Sequence, residues 1–353
     1  MSPPRLDQPF VVGSVTTPAG AVPQASAELT AADSWGTVKV RWGVGRRNYK
    51  VDPGLYALGR PDDKSSVLVT ANYKLSFDTL RSALKGRDLW ILVLDTDGIN
   101  VWCAAGKGTF STDEIVRRVE SSGLEKVVSH HRLIVPQLGA PGVAAHEAKR
   151  LSGFKVTYGP VRSQDLPTFI DAGFKATPEM REKTFSTWDR LVLVPVELVP
   201  ALKAAIIVIP VFAFLAGLGG SSGYWNNLMN HGLLAASALL SGVLAGTILT
   251  PILLPWLPGR AFSLKGMVLG LLVALALVFA WDAHPIRAFT SPEHLAWLLI
   301  VPALVGYFAM NFTGASTYTS LSGVKKEMRW AVPVQIAAAS TGLLLWSWSL
   351  FIA

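Results

Sequence analysis

The 353-residue chain contains one cysteine, Cys103. A single thiol excludes an internal disulfide and any four-thiolate zinc or iron–sulfur centre built from this chain alone. Electrons, where needed, must therefore come from a partner. Charge is scarce too. Only 16% of residues are Asp, Glu, Lys or Arg, against about 25% in soluble domains, so part of the chain is expected outside water. Neither half has a basic run with interleaved aromatics, which argues against nucleic-acid binding. A phosphate loop is missing, because the spacing of Gly98, Gly106 and Gly108 does not meet G-x4-G-K-[ST]. The N-terminus lacks an apolar core behind a basic start and is not read as a secretory signal. Its Pro, Ala, Ser and Thr content predicts a flexible leader over residues 1–35.

What is abundant is apolar sequence, and it is concentrated after residue 190. Five runs, about 199–219, 232–254, 266–281, 295–314 and 331–352, have few charges. Most reach the roughly 20 residues a helix needs to cross a bilayer. Residues 191–353 are therefore expected to form an all-α transmembrane domain of five helices. The net charge of +8 reads as a topology signal. The 220–231 connection has no Lys or Arg, and 282–294 has only Arg287. The alternate connections carry Arg260, Lys265, Lys325, Lys326 and Arg329. The positive-inside rule then places the first half of the chain in the cytoplasm and the C-terminus outside an inner membrane. No ionisable residue falls near the centre of a run, so an anchor and docking platform is expected rather than a transporter.

Residues 36–190 alternate between strand and helix patterns, which predicts a Rossmann-like α/β domain with a parallel sheet. Strands are expected at 66–71, 89–95, 126–137, 154–159 and 190–198, helices at 76–86, 111–122, 143–152 and 163–173, and a hairpin at 36–54. In such sheets ligands bind beyond the carboxyl ends of the strands. The first rim is Thr70, Asn72 and Tyr73, and the second is Asp95, Thr96 and Gly98. The third runs Gln137, Leu138, Gly139, Ala140, Pro141 and Gly142, and the fourth is Tyr158, Gly159, Pro160 and Val161.

Cys103 lies just after the second strand, in "NVWCAAGK". Asn100 suits an N-cap and Lys107–Gly108 a C-terminus, giving a helix of about two turns. Cys103, Gly106 and Lys107 then share a face. Val101 opens this helix. Ala104 and Ala105, with Gly106, are expected to leave almost nothing projecting beyond the thiol, so that the helix lies flat against a broad planar group. Trp102 is expected to point away and anchor the helix in the sheet. Lys107 and the helix N-terminus favour a thiolate, and a soft thiolate suits a transition metal. The bland alternative is a small buried hydrophobe.

"NVWCAAGK" resembles the cap-helix motif of the mercury-methylating corrinoid proteins, the HgcA family. Further matching stretches are "YKVDPGLYALG" (49–59), "VLVTANYKLSFD" (67–78), "WILVLDTDGINVWCAAGKGTF" (90–110), "VPQLGAPGVAAHEAKRLSGFKVTYGPVR" (135–162) and the five-run tail. The resemblance covers the chain from about residue 36 onward. The corrinoid domain is similar to that of the corrinoid iron–sulfur proteins of acetyl-CoA metabolism, which lack the cysteine and the spans. The resemblance implies a cobalamin-type corrinoid bound base-off between the strand ends and the small helix. Cys103 would be the lower axial cobalt ligand. It also implies methyl transfer from a folate-type donor to Hg(II), the thiolate favouring Co(III) as the methyl group leaves with its electron pair. A ferredoxin-like 4Fe–4S partner would supply electrons and deliver mercury. The common base-off signature D-x-H-x-x-G is absent, its nearest approach being "DAHPIR" at 282–287. Two other readings stand beside this one: a corrinoid methyl carrier of one-carbon metabolism, and a membrane corrinoid-binding protein without turnover.

His130 and His131 are adjacent, so a strand would point them to opposite faces, and a structural role is expected. His146 and Glu147 read as solvated surface. Asp95 and Asp97 read as turn and rim residues, and Asn72 and Tyr73 as polar contacts to a corrin.

Overall fold

In the computed structural model, which describes residues 3–282, 290–315 and 321–352, the chain divides into two units. The first ends at Thr184; the second runs from Phe185 and includes Arg41–Gly43. Arg287 and most of "DAHPIR" lie outside the described residues.

The first unit is organised by a seven-stranded sheet in the order β1-β2-β3-β5-β4-β6-β7. Its strands are β1 (Val11–Thr17), β2 (Gly20–Ala25), β3 (Gly54–Leu58), β4 (Val67–Ala71), β5 (Leu89–Leu94), β6 (Arg132–Val135) and β7 (Lys155–Tyr158). Strands β5, β4, β6 and β7 run parallel, as expected, while β3 pairs antiparallel with β5. Every residue of β3, β4 and β5 is buried. Both faces are covered, which is why these strands read as unbroken apolar runs.

Side chains alternate across the pleat. Val67, Val69, Trp90, Leu92 and Leu94 join one core with Ile115 and Val119 of α4 (Thr112–Ser122). Leu68, Leu89, Ile91 and Val93 join the other, with Phe77, Leu80 and Leu84. Phe77 and Leu80 belong to α2 (Lys74–Ala83).

Three expectations need correction. Residues 1–35 are not a loose leader. Residues 11–25 form the antiparallel β1–β2 pair at the sheet edge, and Gln8 Nε2 donates to the Tyr56 hydroxyl at 2.9 Å. Ser and Thr are admissible on the edge strand β1, and Pro23 sits in β2 just before its pairing with β3 begins at Gln24, so composition alone misleads there. Residues 36–54 are not a hairpin: α1 spans Ala31–Arg41, followed by a short 3-10 turn at Arg46–Asn48. A reciprocal cap starts α1, with Thr30 N–H donating to Asp33 Oδ2 (3.0 Å) and Asp33 N–H to Thr30 Oγ1 (3.2 Å). Residues 190–198 are not a strand but part of a helix, Thr187–Gly217, opened by a Ser186–Asp189 capping box. A short apolar run carries no period that separates the two. The 126–137 candidate also shortens, to β6.

Asp33 gives this unit a pH response. Burial would raise its carboxyl, but hydrogen bonds from Lys74 and Thr30 win and hold it far below the usual range. A carboxylate with a depressed folded-state value contributes stability that is present above the unfolded value, near pH 3.9, and lost as pH falls through the folded one. Thermal stability of the full chain is therefore expected to lose this contribution only below about pH 4, and Asp33→Asn to lower stability at neutral pH while flattening that acid response.

In the second unit five helices among the described residues are long and apolar enough to cross a membrane: Thr187–Gly217, Tyr224–Leu253, Phe262–Trp281, Pro292–Asn311 and Ser322–Phe351. Their number matches the sequence reading. Four are longer than the apolar runs because helical segments with polar residues, such as Thr187–Arg190, lead into them.

Candidate functional site

The parallel strands end on one edge of the sheet, and the connections after β4, β5, β6 and β7 meet there. After β5 the chain reverses through Asp95, Thr96, Asp97 and Gly98. Asp97 and Gly98 are both left-handed, with φ of 56° and 71°. Glycine adopts this conformation freely, but for Asp97 it costs energy that its surroundings must offset, and Asn72 bonds to the residues on both sides of it. Its side-chain oxygen accepts from Thr96 N–H (3.0 Å), Thr96 Oγ1 (2.9 Å) and Gly98 N–H (2.9 Å). Its amide donates to Asp95 Oδ1 at 3.0 Å. Asn72 is 2% exposed, so these bonds form away from water.

The reversal delivers the chain into α3 (Val101–Lys107), the small helix that carries the thiol. Asn100 caps it, its Oδ1 accepting from Cys103 N–H at 2.9 Å. Gly108 closes it at φ 82°, its N–H reaching the Ala104 and Ala105 carbonyls. The helix phase sorts its residues cleanly. Val101, Ala104 and Ala105 face inward, the two alanines being 0% and 6% exposed. Trp102, Gly106 and Lys107 are exposed and Cys103 is half-buried. The outward face is therefore Cys103, Gly106 and Lys107, and a Cβ built on Gly106 would meet nothing within 4 Å.

Two details differ from the sequence reading. Ala104 and Ala105 do not flank the thiol on the open face; they form the buried face. Trp102 does not anchor the helix in the sheet, because positions 101, 104 and 105 already fill that side. It stands 37% exposed.

The third rim is the Gln137–Gly142 turn, which packs beneath α3. A Cβ at Gly139 would come within 2.5 Å of the Phe110 ring. One at Gly142 would collide with the Phe110 carbonyl oxygen and press on Ala105. Both glycines thus serve contact between turn and helix. Gly142→Ala is expected to cost about 1–3 kcal/mol and to shift α3, read as a lower melting temperature and faster hydrogen exchange over residues 101–108. Gln137, Leu138 and Ala140 are half-buried and Pro141 exposed, while Gln137 Oε1 accepts from Arg181 Nη1 at 2.7 Å.

The other rim residues lie deeper than expected. Thr70 and Tyr73 are buried, Tyr73 meeting the Tyr49 ring edge-on. Asn72 has its side chain committed to the β5 turn and offers no free group to a ligand. Tyr158 donates its hydroxyl to the Val143 carbonyl (2.6 Å), and burial pushes its pKa up. Gly159 and Pro160 are buried, and Val161 N–H donates to the Met180 carbonyl at 2.8 Å. Asp95 and Asp97 stay at the exposed rim.

Glu114 and Arg118 escaped the sequence reading. Both are buried, and Glu114 Oε1 accepts from Asp95 N–H (2.9 Å) and from Arg118 Nη2 (2.6 Å). "STDE" at 111–114 has capping-box spacing, and Ser111 does accept from Glu114 N–H at 3.3 Å. The glutamate side chain leaves that box to hold the Asp95 turn, a use that local spacing does not show.

Among the described residues no three His, Cys, Asp or Glu side chains come together to hold a metal ion. Cys103 therefore offers a metal one ligand, and the metal must bring the rest of its coordination sphere with it. A metal already inside a planar macrocycle meets that condition, and beside Cys103 the space over Gly106 is open.

Fold and site together define an α/β sheet with a thiol-bearing helix at its strand-end rim, followed by five candidate membrane spans. Residues 44–170, which include that rim and helix, match the family described as CO dehydrogenase/acetyl-CoA synthase delta subunit. The chain is also similar to gamma subunits of the acetyl-CoA decarbonylase/synthase complex. Identity is 32% over 128 residues with that of Methanopyrus kandleri, covering 36% of this chain and 27% of the relative. It is 38% over 125 residues with the gamma 2 subunit of Methanosarcina thermophila (34% and 26%). It is 33% over 128 residues with the subunit of Methanothermobacter thermautotrophicus (36% and 28%). The chain spans about a quarter of the length of these relatives, and the family match ends before the first span.

Proposed function

We propose that this chain is a membrane-embedded, corrinoid-dependent methyl-transfer protein, a methyl carrier of the acetyl-CoA type of one-carbon metabolism in which Cys103 ligates cobalt. The observation that carries the reading is the similarity of residues 44–170 to CO dehydrogenase/acetyl-CoA synthase and decarbonylase/synthase subunits, a stretch that includes the half-buried thiol on the open face of α3. When bound, the corrinoid would supply a cobalt centre able to accept and give up a methyl group. The chain's own residues do the rest. Asn100 holds the helix start, Asn72 and Glu114 hold the turn before it, and Gly106 keeps the face flat.

The thiol itself favours a second reading, with Hg(II) as methyl acceptor. A thiolate is a stronger donor to cobalt than imidazole, and the sulfur-bearing helix resembles that of the mercury-methylating family. In either case a ferredoxin-like 4Fe–4S protein is the expected electron source, since one cysteine cannot build a cluster. By the positive-inside count the α/β domain is cytoplasmic.

The test uses the full chain in nanodiscs, loaded with corrinoid, reductant and a labelled methyltetrahydrofolate donor system. Label retained by the protein and not passed to Hg(II) supports the carrier. Labelled methylmercury supports the second reading. A chain that takes up no corrinoid overturns both. Gly106→Leu separates site from fold: leucine outranks glycine in helix propensity, so stability should hold or rise by up to about 1 kcal/mol, while corrinoid uptake falls.

A further inference from the structure

The second unit has a polar cavity of its own. It measures about 460 Å³ and is walled by His231, Trp281, Asp282, Ser291, Glu293 and His294, contributed by the second, third and fourth spans and the residues beside them. His231 Nδ1 and Glu293 Oε2 lie 2.6 Å apart, a short bond between two spans. The first turn of the Pro292–Asn311 helix favours a carboxylate at Glu293. Neither feature uses the whole carboxylate. Glu293 and His294 are each 7% exposed, yet Glu293 Oε1 and His294 Nδ1 have no hydrogen-bond partner. Buried polar atoms of this kind carry a desolvation cost that a bound group would relieve.

The chemistry of that group follows from the walls. The Glu293 atom left without a partner is a carboxylate oxygen, which only accepts, so the occupant must donate an N–H or O–H, and a carboxylate favours a donor that carries positive charge. A bare metal ion does not fit, because no three His, Cys, Asp or Glu side chains among the described residues come together to hold one. The donors are spread around a volume much larger than an ion. What suits them is a polyatomic cation carrying several N–H groups, with Trp281 as an aromatic wall. We infer that this cavity binds a primary ammonium group, Glu293 Oε1 accepting one of its N–H bonds after a turn of the carboxylate toward the cavity. A lipid headgroup and a soluble amine share that chemistry.

The experiment uses the full chain in phosphatidylcholine nanodiscs, followed by Trp fluorescence and thermal unfolding. Ethanolamine is titrated in, choline is the control without N–H donors, and phosphatidylethanolamine is introduced into the discs in a separate arm. A saturable response to ethanolamine and not to choline supports the inference and identifies a site open to soluble amines. A response confined to discs with phosphatidylethanolamine supports it with the lipid as source. Glu293→Gln should weaken either response at least about tenfold, as loss of a charge-assisted hydrogen bond does. The comparison of ethanolamine with choline in the wild-type chain needs no variant, so a misfolded Glu293→Gln leaves the test intact. Equal responses to the two amines, no response to amine or lipid, or undiminished binding by a folded Glu293→Gln would overturn it.

Discussion

Cys103→Ala is expected to abolish methyl transfer while leaving the fold in place. Loss of a mere outer-shell partner costs a metal site about 10–100-fold, so loss of the ligand should exceed about 100-fold in rate. Stability should change by less than about 1 kcal/mol, because the side chain is half-exposed and the bond that residue 103 makes to the Asn100 cap comes from its backbone N–H, which alanine keeps. Cys103→His makes the argument sharper. Imidazole still ligates, so the corrinoid is expected to remain bound, but as the weaker donor it should leave turnover close to that of the alanine variant. Single-turnover transfer measured beside corrinoid content checks both statements. A histidine variant with near-normal transfer would show that the sulfur's donor strength does not matter.

Asn72→Ala is expected to have the largest effect on stability. The substitution strands three donors, Thr96 N–H, Thr96 Oγ1 and Gly98 N–H, at a position sealed from water. Thr96 Oγ1 keeps a second partner, the Ile99 carbonyl at 2.7 Å, which leaves two backbone groups without an acceptor. At about 1–3 kcal/mol for each buried group left unsatisfied, the loss comes to about 2–6 kcal/mol. The damage should not stay local. The left-handed Asp97 lies between Thr96 and Gly98, both bonded to Asn72, and its own N–H is held by Asp95; α3 begins three residues after Gly98. Hydrogen exchange over residues 96–108 should accelerate, and corrinoid affinity should fall even though Asn72 itself presents no free group to a ligand. Asn72→Asp divides the effect: it keeps the acceptor but sets a second carboxylate against Asp95, where the amide donates at 3.0 Å.

These residues show what a sequence reveals and what it conceals. β4 and β5 are legible because burial on both faces leaves each an uninterrupted apolar run bounded by polar turns. The caps of α3 are legible because Asn100 and Gly108 act within their own helix. The phase of α3 is half legible. Spacing groups Cys103 with Gly106 and Lys107, but it does not say which side the alanines take, and the size of Trp102 argues for a burial it does not have. The edge pair β1–β2 is concealed by Ser, Thr and Pro, whose presence also marks loops. The roles of Asn72 and Glu114 are concealed for another reason: each acts across 19 to 26 residues of chain, on backbone groups that carry no signature of their own.

The central claim is that sulfur from residue 103 reaches a cobalt centre. X-ray absorption at the cobalt edge, on the full chain reconstituted with corrinoid, tests it most directly. The account predicts a sulfur scatterer in the first coordination shell that disappears in Cys103→Ala. A wild-type spectrum showing only nitrogen and oxygen neighbours, or a sulfur signal that survives the substitution, would contradict it.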